Sequence, residues 1–382
     1  MDLKKRQSLL AYVNTLESNE RNKLYKRANE LRKRHMAHST KPRERRGGFD
    51  DEGDSVVTVR RTPPLEEFVL KILEQEEAEP AVEPGITLRG VIVAVSKGRA
   101  EVWVDGETLD CVLAPDIMKR QQTDVTVGDD VIVHRGEATS TVRQVLPRRT
   151  ALSRPDPDSG VQRAIVANVD VVVIVVSVGT PPLHPRIVDR FLIAVERGGA
   201  KPVLAVNKLD LLEGPELAEE LAKIKPYEKI GVPIVRCSAQ AGSGVDQLRM
   251  LLHGKTGVFV GHSGVGKSSL LNALRPELQL KTGGVSDGYG RGRHTTTSSS
   301  MLDLGDGTRL IDTPGVRAFG LWKIRREELP WYFPEFETVQ CKFRDCAHLR
   351  EPGCAVREAV DRGELSPIRY ETYLGLLDSV SE

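Results

Sequence analysis

Two groups of residues in this 382-residue chain have the types and spacing of binding chemistry. In the first, Gly261, His262, Ser263, Gly264, Val265, Gly266, Lys267 and Ser268 fit G-x-x-x-x-G-K-[ST], with Ser269 following. Val258–Val260 reads as a short buried strand before it, and Ser269–Leu274 as an apolar-faced helix after it. Strand, glycine loop and helix in that order make a phosphate-binding loop. Glycines let backbone N–H groups curl around phosphate oxygens, and the helix N-terminus adds its positive dipole end. Lys267 would reach the terminal phosphates, and the Ser268 hydroxyl would take a Mg²⁺ position. In the second group, Cys341, Cys346, His348 and Cys354 lie within fourteen residues. Three thiolates and one imidazole form a closed tetrahedral set for one structural Zn²⁺, with no position left for water. A disulfide pair would leave an odd cysteine and suits a reducing compartment poorly. Cys111 and Cys237 read as small buried apolar residues.

Other short motifs extend the first group. Asn207, Lys208, Leu209 and Asp210 follow the apolar run Pro202–Val206. A carboxylate at that strand end can accept from both N1–H and the exocyclic amine of guanine, a pair that adenine does not present. Ser238 and Ala239 end the next strand, where a backbone N–H would meet guanine O6. Asp312, at the end of Thr308–Ile311, is placed to hold Mg²⁺ through water, and Gly315 to offer its N–H to the γ-phosphate.

These motifs stand in an unusual order. Ras-like GTPases carry the phosphate loop first and the guanine motif late, whereas here Asn207-x-x-Asp210 and Ser238-Ala239 precede the phosphate loop and Asp312-x-x-Gly315 comes last. A circular permutation still assembles the same sheet. The elements that must build it are the β-branched run Val169–Val178, strands Pro202–Val206 and Val232–Arg236, helices Ile187–Arg197, Leu217–Ile224 and Val245–Leu252, and a hairpin of Ser300–Leu304 and Thr308–Ile311 turned at Asp306-Gly307.

Upstream the texture differs. Residues 1–48 carry fourteen Lys/Arg against five Asp/Glu. Leu9, Val13 and Leu16, then Leu24, Ala28 and Leu31, fit two short amphipathic helices before a disordered 41–48 tail. Such an arm either binds RNA phosphates or is a solvated helical face. Residues 49–84, acidic and proline-bearing, read as a linker. Five alternating strands, Ile86–Val95, Arg99–Val104, Thr108–Leu113, Asp130–Arg135 and Ser140–Leu146, suit an oligonucleotide-binding (OB) type barrel, with Lys119-Arg120 and Arg148-Arg149 as basic edges for nucleic acid. Residues 153–160 read as a connector. Net charge is +1 and no run of eighteen apolar residues occurs, so the expectation is a soluble cytoplasmic protein with no membrane partner, and a monomer.

The expected fold class is therefore multidomain: a helical arm and linker (1–84), an OB-type β-barrel (85–152), a circularly permuted Ras-like α/β P-loop GTPase domain (160–334) and a small zinc-binding α domain (335–382). The permuted order, Gly-Arg-His-Thr-Thr-Thr at 292–297, the barrel before the GTPase and the cysteine cluster after it together resemble the RsgA/YjeQ family of circularly permuted GTPases, over about residues 85–375. The resemblance implies GTP hydrolysis stimulated by the small ribosomal subunit, assistance in its late maturation, release as GDP forms, an rRNA-contacting barrel and a structural zinc at the same four ligands. Alternatives are a GTP-sensing RNA-binding factor, or a tRNA or translation GTPase acting away from the small subunit. Ras-like enzymes place a water-orienting Gln directly after Asp-x-x-Gly; here that residue is Val316, which cannot hydrogen-bond water. His294 is the candidate catalytic group, supported by the resemblance. Thr296 and Thr297 are candidate switch ligands that join Ser268 and Asp312 around Mg²⁺.

Overall fold

The computed structural model describes residues 24–33, 65, 67–70, 85–117, 125–155, 162–278, 299–312 and 324–380. Met1–Pro84 and Gly85–Glu382 are separate compact units. In the first, residues 24–33 are helical; Leu24 and Ala28 are buried as their spacing predicts, whereas Leu31, expected on the same face, is exposed. The stretch read as linker contributes more than a tether: residues 67–70 are also helical, and Phe68, Val69 and Leu70 bury themselves with Leu24 and Ala28. Leu9, Val13, Leu16 and the 41–48 tail lie outside the described residues, as do Lys119 and Arg120.

The second unit begins with β1 (Ile86–Ser96), β2 (Arg99–Val104), β3 (Glu107–Leu113), β4 (Asp130–Arg135) and β5 (Ser140–Val145). β1 pairs with both β2 and β4, β2 pairs with β3, β3 lies parallel to β5, and β5 pairs with β4. That circuit is a closed five-stranded barrel, which leaves no free edge. Alternation along the strands turns Ile92, Val102, Cys111, Val131, Val133 and Val142 into its core.

A hairpin follows where a connector was expected: β6 (Ala151–Pro155) pairs antiparallel with β7 (Gln162–Ala167). It belongs to a polar seam under the barrel. Asp129, wholly buried, accepts from Nε and Nη2 of Arg148 at 2.6 and 2.9 Å. Arg149 is 3.0 Å from Asp170, and Asn168 donates to the Gly128 carbonyl at 2.9 Å. Arg148 thus ties the end of the barrel back to the start of β4, and Arg149 ties the barrel to the neighbouring sheet through Asp170, roles their charge alone does not reveal.

The α/β sheet runs β10 (Ile234–Arg236), β9 (Lys201–Asn207), β8 (Val171–Ser177), β11 (Thr256–Val260), β13 (Thr308–Asp312), β12 (Ser300–Gly305). The first five are mutually parallel, and β12 joins β13 as an antiparallel hairpin. β8 is buried at every position, as a parallel strand covered on both faces must be. The chain moves outward from β8 through β9 to β10, then returns on the other side of β8 as β11. The order therefore reverses between β8 and β11, and the crevice at their carboxyl ends is where an open α/β sheet binds ligands. At the far edge, β12 meets β1 of the barrel at Ala94 and Ser300.

The C-terminal module packs on the helix Pro185–Arg197. One face of that helix buries Val188, Phe191 and Val195 in the core against the sheet, and Ile193 enters the module's core with Phe333, Phe336, Tyr373 and Leu376. Asp189 is also buried there, because Arg369 of the helix Pro367–Leu377 meets it. The Arg369 fork binds Glu335 as well, at 2.6 and 3.0 Å, while Tyr227 and Thr372 donate to Asp189. Arg369 and Asp189 are 2% and 1% exposed, so removing either partner strands a charge in the interior. Arg369→Met should weaken docking of the Pro367–Leu377 helix by about 3–5 kcal/mol. Hydrogen exchange of that helix's amides reads this opening energy directly; protection equal to wild type would contradict the assignment.

Candidate functional site

The phosphate loop lies in the β8/β11 crevice. β11 ends at Val260, residues 261–266 turn, and the helix Lys267–Leu274 begins. Gly261 (φ 146°) and Gly266 (φ 92°) hold backbone conformations that a side chain resists, and a Cβ would lie 2.3 Å from the Val175 carbonyl oxygen and from Asn207 Nδ2 respectively. Val265 and Leu270 are buried and anchor the loop and its helix, while His262, Ser263 and Gly264 are exposed at the rim. Lys267 reaches back across the loop, its ammonium donating to the Gly261 and His262 carbonyls at 2.8 and 2.9 Å. Ser268 and Ser269 are half-buried in the first helical turn.

The guanine motif is fastened to that loop. β9 ends at Asn207, which is buried, and its carboxamide donates to the Val265 carbonyl at 2.9 Å. Its Oδ1 accepts from the Ala239 N–H at 3.0 Å. One side chain thus ties together β9, the Ser238-Ala239 turn and the phosphate loop. Lys208 adopts a left-handed backbone (φ 65°), and its ammonium donates to the Thr180 carbonyl at 2.6 Å. Leu209 is half-buried and Asp210 exposed in the 3₁₀ turn that follows, and Ser238 Oγ donates to Asp210 Oδ1. The loop after β8 was not singled out from sequence, yet it braces both halves. Thr180 holds Lys208, and Pro181 Cδ would be 3.6 Å from a Cβ at Gly264. Carbonyl acceptors of this kind carry no sequence signature.

β13 delivers Asp312 alongside β11. Burial pushes its carboxyl upward from the usual carboxylate range, and the Lys267 ammonium pulls it back. The two groups therefore share one electrostatic environment. The structure thus brings together Asn207, Lys208, Leu209, Asp210, Ser238, Ala239, residues 261–269 and Asp312. His294, Thr296, Thr297, Gly315 and Val316 lie outside the described residues.

Cys341, Cys346, His348 and Cys354 converge in the C-terminal module, their ligand atoms all within 4.8 Å of one another. Cys341 Sγ is 3.5 Å from His348 Nδ1 and 4.0 Å from Cys354 Sγ, and Cys354 Sγ is 3.6 Å from His348 Nδ1. A tetrahedral ion with bonds of about 2.0–2.3 Å separates its ligands by about 3.5–3.8 Å, so the donors fit one metal ion. Burial lowers the His348 pKa, keeping the imidazole neutral as a ligand must be, and raises those of Cys346 and Cys354, so thiolates there need a cation's charge. His348 sits in the left-handed region (φ 57°). Glu351 holds that turn by accepting from the N–H groups of Ala347, Leu349 and Arg350 at 2.8–3.0 Å. Tyr370 and Tyr373 donate to the His348 and Ala347 carbonyls, and Phe336 packs edge-on to the imidazole at 5.3 Å. This supporting shell was not anticipated; Glu351 beside the ligands was its only legible sign.

Comparisons with known proteins agree with this geometry. The RsgA GTPase family profile matches residues 145–322. The small ribosomal subunit biogenesis GTPase RsgA of Haemophilus influenzae (strain 86-028NP) is 40% identical over 306 residues, covering 78% of this chain and 86% of the relative. RsgA 1 of Vibrio vulnificus (strain YJ016) is 43% identical over 272 residues, covering 69% and 77%. Among solved structures, YjeQ from Thermotoga maritima aligns with TM-score 0.64 and 34% identity, covering 76% of this chain and 98% of that one. YloQ, a circularly permuted GTPase, aligns with TM-score 0.60 and 30% identity, covering 77% and 94%.

The metal cluster makes a separable prediction. Purified chain should contain one tightly bound metal ion by elemental analysis. Chelation should collapse the near-ultraviolet dichroism of the Phe333/Phe336/Tyr373 cluster, as expected when metal binding supplies folding energy. Metal-free protein with an unchanged aromatic spectrum would contradict a structural role.

Proposed function

The chain belongs to the RsgA GTPase family, and on that premise we propose that it is a GTP hydrolase that assists late maturation of the small ribosomal subunit in the cytoplasm and leaves the particle when GDP forms. The observation that carries the nucleotide reading is the Asn207 carboxamide, which fixes the guanine-reading strand end against the phosphate loop so that one nucleotide spans both. Asp210 would accept from the guanine N1–H and amine, the Lys208 stem would flank the base and Leu209 would line the base turn. Ala239, with Ser238 holding Asp210, would face guanine O6. The N–H groups of residues 261–269 would cradle the β- and γ-phosphates, with Lys267 turning its ammonium from loop carbonyls to phosphate oxygens. Ser268, Thr296, Thr297 and Asp312 would hold Mg²⁺, whose chemistry here is neutralisation of charge on the phosphates.

His294 is the residue proposed to orient the attacking water, since Val316 offers no hydrogen bond. Slow intrinsic turnover follows, with the bound subunit ordering the switch residues. The metal is proposed to be one structural Zn²⁺ on Cys341, Cys346, His348 and Cys354, which leaves no open position for catalysis. The barrel is proposed to contact rRNA, and the chain to act as a monomer.

Small subunits should raise the GTP hydrolysis rate on the order of 10²-fold, within the range a supplied transition-state group contributes; no stimulation would overturn the reading. His294→Ala should lose most of that stimulated rate while GDP affinity holds, and full retention would remove the catalytic role. Asp210→Asn should cost about 100-fold or more in GTP affinity, since two hydrogen bonds to a charged acceptor are lost. The same variant should gain affinity for xanthosine triphosphate, whose C2 carbonyl accepts from an amide; unchanged base preference would show that Asp210 does not read the base.

A further inference from the structure

β8 carries Val or Ile at every position but its last, where Ser177 stands. Side chains alternate across a strand. Ser177 therefore falls on the face of Val171, Val173 and Val175, which share a core with Val265 and Leu270 of the phosphate loop and its helix. The residue is 1% exposed, and a valine there would only lengthen that core. A buried hydroxyl costs free energy unless it is hydrogen-bonded. This one has its partner: Ser177 Oγ donates to the Pro181 carbonyl at 2.8 Å. One bond thus closes the turn of residues 177–181, in which Gly179 takes the left-handed region (φ 77°).

That turn is where Lys208 is held. Ser177 lies opposite Asn207 in the parallel β8/β9 register, and the Val178 N–H donates to the Asn207 carbonyl at 3.2 Å. Turn and guanine motif therefore leave the sheet side by side. The Thr180 carbonyl, next to the one that Ser177 binds, accepts from the Lys208 ammonium at 2.6 Å. On the other flank Pro181 stands against the phosphate loop, its Cδ 3.6 Å from the position of a Cβ at Gly264. A chain of contacts runs from a sealed hydroxyl, through two successive carbonyl-bearing residues, to the cation of the guanine motif. A lysine side chain has many rotamers, and fixing its ammonium holds the apolar stem in one line.

We propose that Ser177 is a positioning residue for guanine binding: its hydroxyl fixes the turn whose Thr180 carbonyl anchors the Lys208 ammonium, and so lays the Lys208 stem along the base. This rests on the reading of Asn207–Asp210 as the guanine site and adds to it a residue that touches no nucleotide. The phosphates, cradled by backbone N–H groups of residues 261–269, do not depend on the Lys208 stem. The effect therefore falls on the base.

The test titrates the full chain with GDP in Mg²⁺ and, by competition, with pyrophosphate, which occupies the loop without a base. Ser177→Ala should weaken GDP binding about 5-fold, the scale of one hydrogen bond. Its pyrophosphate affinity should match wild type, which also shows that the sheet end is folded. Lys208→Met keeps the stem and removes the ammonium, and should weaken GDP binding to a similar degree. Combining the two should lose no more than Lys208→Met alone, because both act through one contact. Ser177→Thr, which keeps the hydroxyl, should bind GDP as wild type does. Wild-type GDP affinity in Ser177→Ala would overturn the proposal, as would losses that add in the double variant or a threonine variant as weak as the alanine one. An equal loss for pyrophosphate would also overturn it, marking Ser177 as a general support of the sheet end. Each of these results leaves the nucleotide reading standing. Wild-type chain that binds no GDP sinks that reading and this proposal with it.

Discussion

The two hydrogen bonds of the Asn207 carboxamide, to the Val265 carbonyl and from the Ala239 N–H, are the constraint on which the nucleotide site depends. The side chain is 1% exposed, so neither of its polar atoms has water as an alternative partner. Three segments remote in sequence meet at this one group: the end of β9, the turn after β10 and the phosphate loop after β11. The geometry of a base-plus-triphosphate site depends on how those segments lie, and Asn207 ties all three together where the strands end. Gly266 has no side chain because Asn207 occupies the space a Cβ would need.

Permutation leaves this arrangement intact because a parallel sheet is held by which strands are adjacent, not by the order in which the chain visits them. β8, β9 and β10 are laid down before β11, yet β11 still inserts between β8 and β13. What changes is where the chain goes next. β13, which ends in Asp312, leads toward the metal-bearing module rather than back into the sheet, and that module returns to grip the helix Pro185–Arg197 through Arg369 and Asp189. On the opposite edge, β12 touches β1 of the barrel at Ser300 and Ala94, and Arg309 stacks over Trp103 at 4.3 Å. The GTPase domain is thus held by the metal-bearing module at the helix Pro185–Arg197 and by the barrel at β12.

Much of this was legible in the sequence because the signals are local. Alternating residues between Gly-bearing turns mark β1 to β5 to within a residue or two, the Val171–Ser177 run could only be a strand covered on both faces, and G-x-x-x-x-G-K-S specifies loop and helix together. The Cys/His spacing likewise pointed to four ligands that do converge. What escaped depends on partners distant in the chain. Ala151–Pro155 lacks clear alternation and becomes a strand only because β7 pairs with it. Arg148 and Arg149 look like surface charge until Asp129 and Asp170 are placed beside them. Asp189 on an otherwise apolar helix face makes sense only with Arg369, 180 residues later. Phe68 to Leu70, set among acidic residues, read as linker until Leu24 and Ala28 supply a surface to bury them.

The central claim is that one guanine nucleotide spans the crevice from Asp210 to Lys267. Calorimetric titration of the full chain with GDP in Mg²⁺ tests it most directly. The account predicts a single site per chain, competed by pyrophosphate through the loop and by GTP, and untouched by ATP at equal concentration. Two independent sites, or ATP displacing GDP as well as GTP does, would contradict it.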